Sequence, residues 1–371
     1  MKKSAIFIAF LALLLLCGCH RQQEGGSLPQ PTGSMELDYA KQFTVDYYGS
    51  DALVTIGGTD RYLILDGSGD APNGFDGAVV IRKPAQSIYL AASSVMDFFR
   101  QLDALDRVRL TSTKPGDWSI PQVRDAMDAG DLLYAGRYAA PDYELILSEN
   151  TDLAVESTMI YHSPDTRERL IQIGIPVLVD RSSYETDPLG RMEWIKLYGL
   201  ITDRLDEATD FFNGQVEEIR DIIDAEYSEN RPKVAFFYIN STGQVIARKS
   251  DDYIAELIQM AGGEYVMDSA LDGDNNLSTS TMEFEAFYTI AKDADIIIYN
   301  SAIDGDLASI EQLLEKNSLL ADFKAVKTGN VWCTSHSVYQ ETTAAAGLLK
   351  DFSAVVSGEA DGELRFLHSL E

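Results

Sequence analysis

Histidine and cysteine are scarce, four of the first and three of the second in 371 residues. His20, His162, His336 and His368 stand singly, none at the HxH or HxxxH spacing of a built-in zinc site. Cys17 and Cys19 lie at the end of an N-terminal apolar run, which leaves Cys333 alone in the folded part and no intramolecular disulfide. In Asn330-Val331-Trp332-Cys333-Thr334 it reads as a small buried core residue. The shortage removes the usual general bases and nucleophiles, and no GxSxG, P-loop, GxGxxG, HExxH or CxxC is present. The expectation is therefore no enzyme, no cofactor and no metal ligand set. Positive charge is short as well. Thirty Lys and Arg face 59 Asp and Glu, and a net charge of −29 disfavours nucleic acid and anionic lipid as ligands.

The apolar run itself, Ala5 to Cys17 behind Lys2-Lys3, is a basic n-region leading into an h-region. It is too short to span a bilayer, which takes about 20 apolar residues. Its end, Leu16-Cys17-Gly18-Cys19, resembles the bacterial lipobox. That resemblance implies a signal peptide over 1–18, a lipidated Cys19 as the mature first residue, and a chain held by lipid on the outer face of the cytoplasmic membrane. Residues 19–34 are polar and rich in Gly and Pro, a flexible tether.

The length and a 45% hydrophobic content suit two domains, and no repeat of solenoid period is visible. From Met35 the chain first shows a hairpin, Leu53–Ile56 and Tyr62–Leu65 around Gly57-Gly58. Short apolar strands then alternate with helical segments: strands at Ile88–Ala91, Val108–Thr111, Leu132–Ala135, Leu153–Val155 and Pro176–Val179, with helices between them. Residues 188–230 carry helical pattern only and read as a connector helix. Beyond it, strands at Val234–Ile239, Asp295–Tyr299 and Val331–Cys333 alternate with helices at Tyr253–Ala261, Phe284–Ala291 and Glu341–Val356. The expected fold is α/β: two Rossmann-like lobes, 35–187 and 231–371, joined by a long connector helix, with the ligand cleft between them.

Several strings in this order resemble the helix-linked substrate-binding proteins of ABC importers for ferric siderophores, haem and cobalamin. They are Ile88-Tyr89-Leu90-Ala91-Ala92-Ser93-Ser94, Glu144 followed by Asp152, Gly174-Ile175-Pro176-Val177, and Ala261-Gly262-Gly263 before Glu264-Tyr265-Val266. Glu156 to Tyr161 and Arg181 to Trp194 look like the iron-complex binders among them. The hairpin and residues 66–83 are not typical of that family. The resemblance implies a monomeric receptor that captures a small metal chelate and docks on permease subunits through a glutamate on each lobe. These would be Glu144 and Glu285, with Glu283 a competitor for the second.

Candidate ligand contacts are the polar residues at strand ends. On the first lobe these are Ser93, Ser94, Arg137, Tyr138, Glu156, Thr158, Tyr161, Ser183, Tyr184 and Glu185; on the second, Tyr238, Arg248, Tyr299 and Trp332. Tyrosine offers an apolar face and a hydroxyl, and arginine pairs bidentately with carboxylate or hydroxamate. Each has a plainer role available: tyrosines as packing residues, Glu156 and Glu185 as helix caps, Ser93 and Ser94 as an N-cap. A ferric siderophore, haem, cobalamin and a simpler metal complex all remain open as ligand. The alternatives are a membrane-tethered enzyme of unknown reaction and a structural lipoprotein.

Overall fold

The computed structural model describes residues 28–267, 271, 278–360 and 362–371. The signal peptide expected over 1–18, Cys19 and most of the tether lie outside the described residues.

A five-stranded sheet precedes the first lobe, in the order β1-β2-β3-β4-β5: Gly33–Ser34, Phe43–Tyr48, Asp51–Ile56, Asp60–Asp66 and Val79–Lys83. The expected hairpin is its β3–β4 pair. β2 and β5 flank that pair, antiparallel to β3 and parallel to β4. Alternation along the strands divides the residues between two faces. Val54, Ile56, Tyr62 and Ile64 join the main core, whereas Leu53, Leu63 and Leu65 form a small outer cluster with Phe75.

The first lobe is a parallel sheet in the order β12-β11-β6-β7-β8. Its strands are Ile88–Leu90 (β6), Val108–Thr111 (β7), Leu133–Tyr134 (β8), Leu153–Ser157 (β11) and Val177–Asp180 (β12), and a two-strand ribbon, β9 (Gly136–Arg137) with β10 (Ala140–Pro141), follows β8. The helices are α1 (Met96–Gln101), α2 (Pro121–Ala129), α3 (Tyr143–Ser148) and α4 (Pro164–Gln172). Leu153, Ala154 and Val155 are all buried, as continuous apolar runs must be when both faces of a sheet are covered.

The connector is not one helix but four in succession: α5 (Pro188–Glu193), α6 (Ile195–Thr202), α7 (Leu205–Glu218) and α8 (Arg220–Ile223). Every residue of α6 is buried, which fits a helix apolar on all sides. It ends at Asp203, whose φ of 62° is left-handed, and the Arg204 N–H turns back to the Gly199 carbonyl at 2.7 Å. A Cβ on Gly199 would come within 2.8 Å of the Arg204 carbonyl oxygen, so glycine permits this tight reversal of α7 onto α6.

In the second lobe β13 (Lys233–Ile239), β17 (Ile296–Tyr299) and β18 (Val331–Thr334) run parallel. Four strands that the local apolar pattern does not announce extend this sheet. β14 (Val245–Arg248) and β16 (Thr279–Met282) lie beyond β13, β15 (Glu264–Tyr265) pairs with its start, and β19 (Leu367–Ser369) borders β18. The helices are α9 (Tyr253–Met260), α10 (Phe284–Ala291), α11 (Ser301–Asp304), α12 (Ile310–Lys316), α13 (Lys324–Thr328) and α14 (Ala345–Ser357). Cys333 is fully buried within β18, as expected. No helix among the described residues is long and apolar enough to cross a membrane.

Candidate functional site

Parallel strands deliver all their C-terminal ends to one edge of a sheet, and here the two edges meet. The Thr342 hydroxyl, beyond β18, donates to the Ser94 carbonyl at 2.9 Å, beyond β6. The Ser119 N–H and hydroxyl both donate to Gln340 Oε1 at 2.8 Å, and Gln340 Nε2 donates to the Asp117 carbonyl at 2.8 Å. Arg191 of α5 lies 3.9 Å from the ring centroid of Tyr253 on α9.

On the second lobe this edge carries a cavity of about 230 Å³, lined by Tyr238, Arg248, Ser278, Thr279, Asn300 and Ile303 among others. Arg248 Nη1 donates to Asp252 at 3.4 Å and Ser278 at 3.2 Å, and the guanidinium rests 4.8 Å from the Tyr339 ring centroid. Arg248 Nε and Asn300 Oδ1, both buried, have no hydrogen-bond partner of good geometry. The Tyr339 hydroxyl interacts with both side chains, and a ligand carrying an anionic oxygen and an N–H or O–H can complete their hydrogen bonding at the cavity wall.

The expected contacts divide into three groups. Tyr238 and Arg248 line the cavity together. Ser93, Ser94, Arg137, Tyr138, Thr158, Tyr161, Ser183 and Tyr184 follow the ends of β6, β8, β11 and β12 and therefore share the first lobe's edge. Ser93 and Ser94 are half-buried, and the turn they open has Ala92 at its N-cap, so neither hydroxyl serves as that cap. Tyr161 and Tyr184 are exposed, at 45% and 44%.

Four expected contacts are corrected. Glu185 is buried, and its carboxylate accepts hydrogen bonds from the N–H groups of Lys41 and Gln42 and from Trp194 Nε1 at 2.8–2.9 Å. It holds the chain ahead of β2, with three donors already on its buried carboxylate. Tyr299 is fully buried, donating to Asp304 at 2.6 Å and accepting from the Ile239 N–H at 3.2 Å. Trp332 donates its indole N–H to Asn330, at the opening end of β18 and away from the cleft edge. Glu156 is fully buried, caps no helix and leaves both oxygens without a partner, so burial pushes its carboxyl up to about 8. Its neighbour Tyr89 is pushed up by the same cause, with Glu156 adding to it.

Asn300 was missed, although it stands one residue beyond Tyr299 at the same strand end. Ser278 and Thr279 were missed because Thr-Ser-Thr-Met carries no apolar alternation to mark it as a strand. His162 and His336 are both exposed. Among the described residues no three His, Cys, Asp or Glu side chains converge on one point.

The two glutamates expected to dock occupy matching places. Glu144 is the second residue of α3 and Glu285 the second of α10, and both are exposed. Each helix leads to an aspartate that clamps a neighbouring strand. Asp152 accepts from the N–H groups of Gln86 and Ser87 at 2.8 and 3.2 Å, and Asp295 from the Lys233 N–H at 2.8 Å. Glu283, the competitor, sits at the N-cap position and accepts from Gln244 Nε2 at 2.9 Å.

Four likenesses to known proteins bear on this arrangement. A family model described as periplasmic binding protein matches residues 97–336. An uncharacterized lipoprotein of Methanocaldococcus jannaschii is 25% identical over 325 residues, covering 84% of this chain and 80% of that one. Among solved structures, a periplasmic binding protein from Veillonella parvula superposes with a TM-score of 0.62 at 18% identity, over 82% of this chain and 97% of its own. The periplasmic heme-binding protein of Vibrio cholerae does so with a TM-score of 0.60 at 16% identity, over 75% and 100%. These superpositions are likenesses of fold.

Proposed function

We propose, from the premise that this chain belongs to the periplasmic binding protein family, that it is the receptor of an ABC importer. It captures a metal chelate outside the cytoplasmic membrane and delivers it to a permease. As a member of that family it binds solute and is not an enzyme. The chelate is of the ferric-siderophore kind or a relative such as cobalamin, and the anchor is the lipid on Cys19. The observation that carries this reading is the second-lobe cavity, where Arg248 and Asn300 stand beside Tyr238 at the edge facing the first lobe. A receptor that must release its cargo needs polar groups of this kind and no nucleophile. Heme enters because a like-folded protein from Vibrio cholerae is a heme binder, but neither His162 nor His336 lines the cavity.

The test is direct. Ligand released from protein purified out of its own cells is identified by absorbance and mass spectrometry, and the emptied protein is titrated with ferric chelates while tryptophan emission is followed. Trp118 is buried next to the Ser119–Gln340 contact between the lobes, so its emission reports a change in their closure. A saturable change is expected. No co-purified chelate and no response to any chelate would overturn the assignment.

A further inference from the structure

The β1–β5 sheet lies ahead of residue 97, where the family match begins, and its docking is specific. Glu193 accepts hydrogen bonds from the N–H groups of Asp38, Tyr39 and Ala40, and Glu185 from those of Lys41 and Gln42. The sheet so held carries its β3–β4 turn to the first lobe's strand-end edge. There Tyr161 donates to Asp60 Oδ2 at 3.3 Å, and Gly57 abuts the Arg181 guanidinium. Gly57 has a φ of +59°, and a Cβ added to it would fall 2.5 Å from Arg181 Nη1.

Arg181 follows β12, Arg167 stands on α4, and the Tyr161 hydroxyl lies within the field of both. In each arginine Nε is buried with no hydrogen-bond partner, and among the described residues neither guanidinium is in an ion pair. Beside them Met159, Tyr161 and Tyr184 are exposed at 48%, 45% and 44%, and Arg181 lies 4.9 Å from the Tyr184 ring centroid. Cationic forks and open aromatic faces together suit a flat, negatively charged group.

We propose that Arg167 and Arg181, walled by the Gly57–Asp60 turn of the accessory sheet, form an anion subsite. It takes a carboxylate or phenolate oxygen of the bound chelate, with Tyr161 and Tyr184 against its rings. The proposal rests on the reading of the chain as a chelate receptor and adds that the accessory sheet takes part in recognition. Asp60 is the opposing charge at the subsite, tied to Tyr161, and it limits how strongly an anion is held.

Two probes separate the possibilities: the anionic ferric complex of dihydroxybenzoate and a neutral ferric cyclic trihydroxamate, each titrated into the full chain. Loss of both forks in Arg167→Gln/Arg181→Gln should weaken the anionic complex by at least about tenfold and the neutral one by less than about twofold. Asp60→Asn should tighten the anionic complex by about threefold, a gain that a damaged fold cannot produce. Gly57→Ala, which displaces Arg181, should weaken the anionic complex alone. Equal losses for the two probes, or unchanged binding of the anionic complex by the double variant, would overturn the subsite and leave the receptor assignment standing. Wild-type protein that binds only the neutral complex, or neither complex, likewise overturns the subsite alone, because the receptor assignment also admits a chelate such as cobalamin.

Discussion

The Asp97 carboxylate, on α1 of the first lobe, accepts the N–H of Thr343 at 2.8 Å and its hydroxyl at 2.5 Å, 246 residues further along the chain. Its other oxygen takes the Arg100 Nε at 2.6 Å, and Arg100 Nη2 reaches back to the Thr343 hydroxyl at 3.2 Å. Asp97 is wholly buried, so this is a latch between lobes made inside the protein. Asp97→Ala leaves the half-buried Arg100 guanidinium and two buried Thr343 donors without their acceptor, and a cost of about 1–3 kcal/mol is expected. Asp97→Asn, which keeps an acceptor for Thr343, should cost clearly less. Urea unfolding checks both, and an Asp97→Ala protein as stable as wild type would show that the latch holds nothing.

Glu185 gives a second prediction, because it separates a structural carboxylate from a ligand contact. Glu185→Ala leaves the Lys41 and Gln42 N–H groups and the Trp194 indole without an acceptor, at about 1–3 kcal/mol for each donor that water cannot reach. The melting temperature should fall and the β1–β5 sheet should become the first site of proteolysis, while chelate affinity is unchanged. A stable variant with lost affinity would return Glu185 to the ligand site.

Glu156 predicts a pH dependence. Its folded carboxyl is raised from 4.5 to about 8 by burial alone, so between those values the folded chain keeps a proton that the unfolded chain has released. The stability this group allows is complete below about pH 4.5 and is lost as pH rises toward 8, on the order of 4 kcal/mol in total. Glu156→Gln, always neutral, should melt close to wild type at pH 5 and several degrees above it at pH 8. Parallel melting curves across that range would mean that Glu156 is charged in the fold.

These residues show what could be read in advance. Strands such as Val108–Thr111 and the helix Phe284–Ala291 were legible because their apolar patterns are local. β16 and β19 were not, being short edge strands defined by partners far along the chain, and β14, between β13 and β16, was not either. At the site, position was legible and direction was not. Tyr299 and Asn300 share a strand end, yet one residue of alternation puts the tyrosine in the core and the asparagine at the cavity. Glu185 looked like a cleft residue because its true partners, Lys41 and Gln42, lie more than 140 residues earlier.

The last prediction concerns docking. Glu144 and Glu285, each second in its helix and exposed, stand at matching places on the two lobes. Glu283 is already engaged with Gln244. A pair of like charges set apart on one face can orient a receptor on a basic partner and speed encounter more than it adds affinity. The double charge reversal Glu144→Lys/Glu285→Lys should therefore abolish uptake by cells while chelate binding by the purified protein stays intact. Both carboxylates also face helix N-termini, so reversal should lower stability slightly, by about 0.3–1 kcal/mol at each site. The pair Glu144→Gln/Glu285→Gln, which removes charge with a smaller helix penalty, should also impair uptake, and that separates docking from stability. Normal uptake by the double lysine variant would reject these two glutamates as the docking pair.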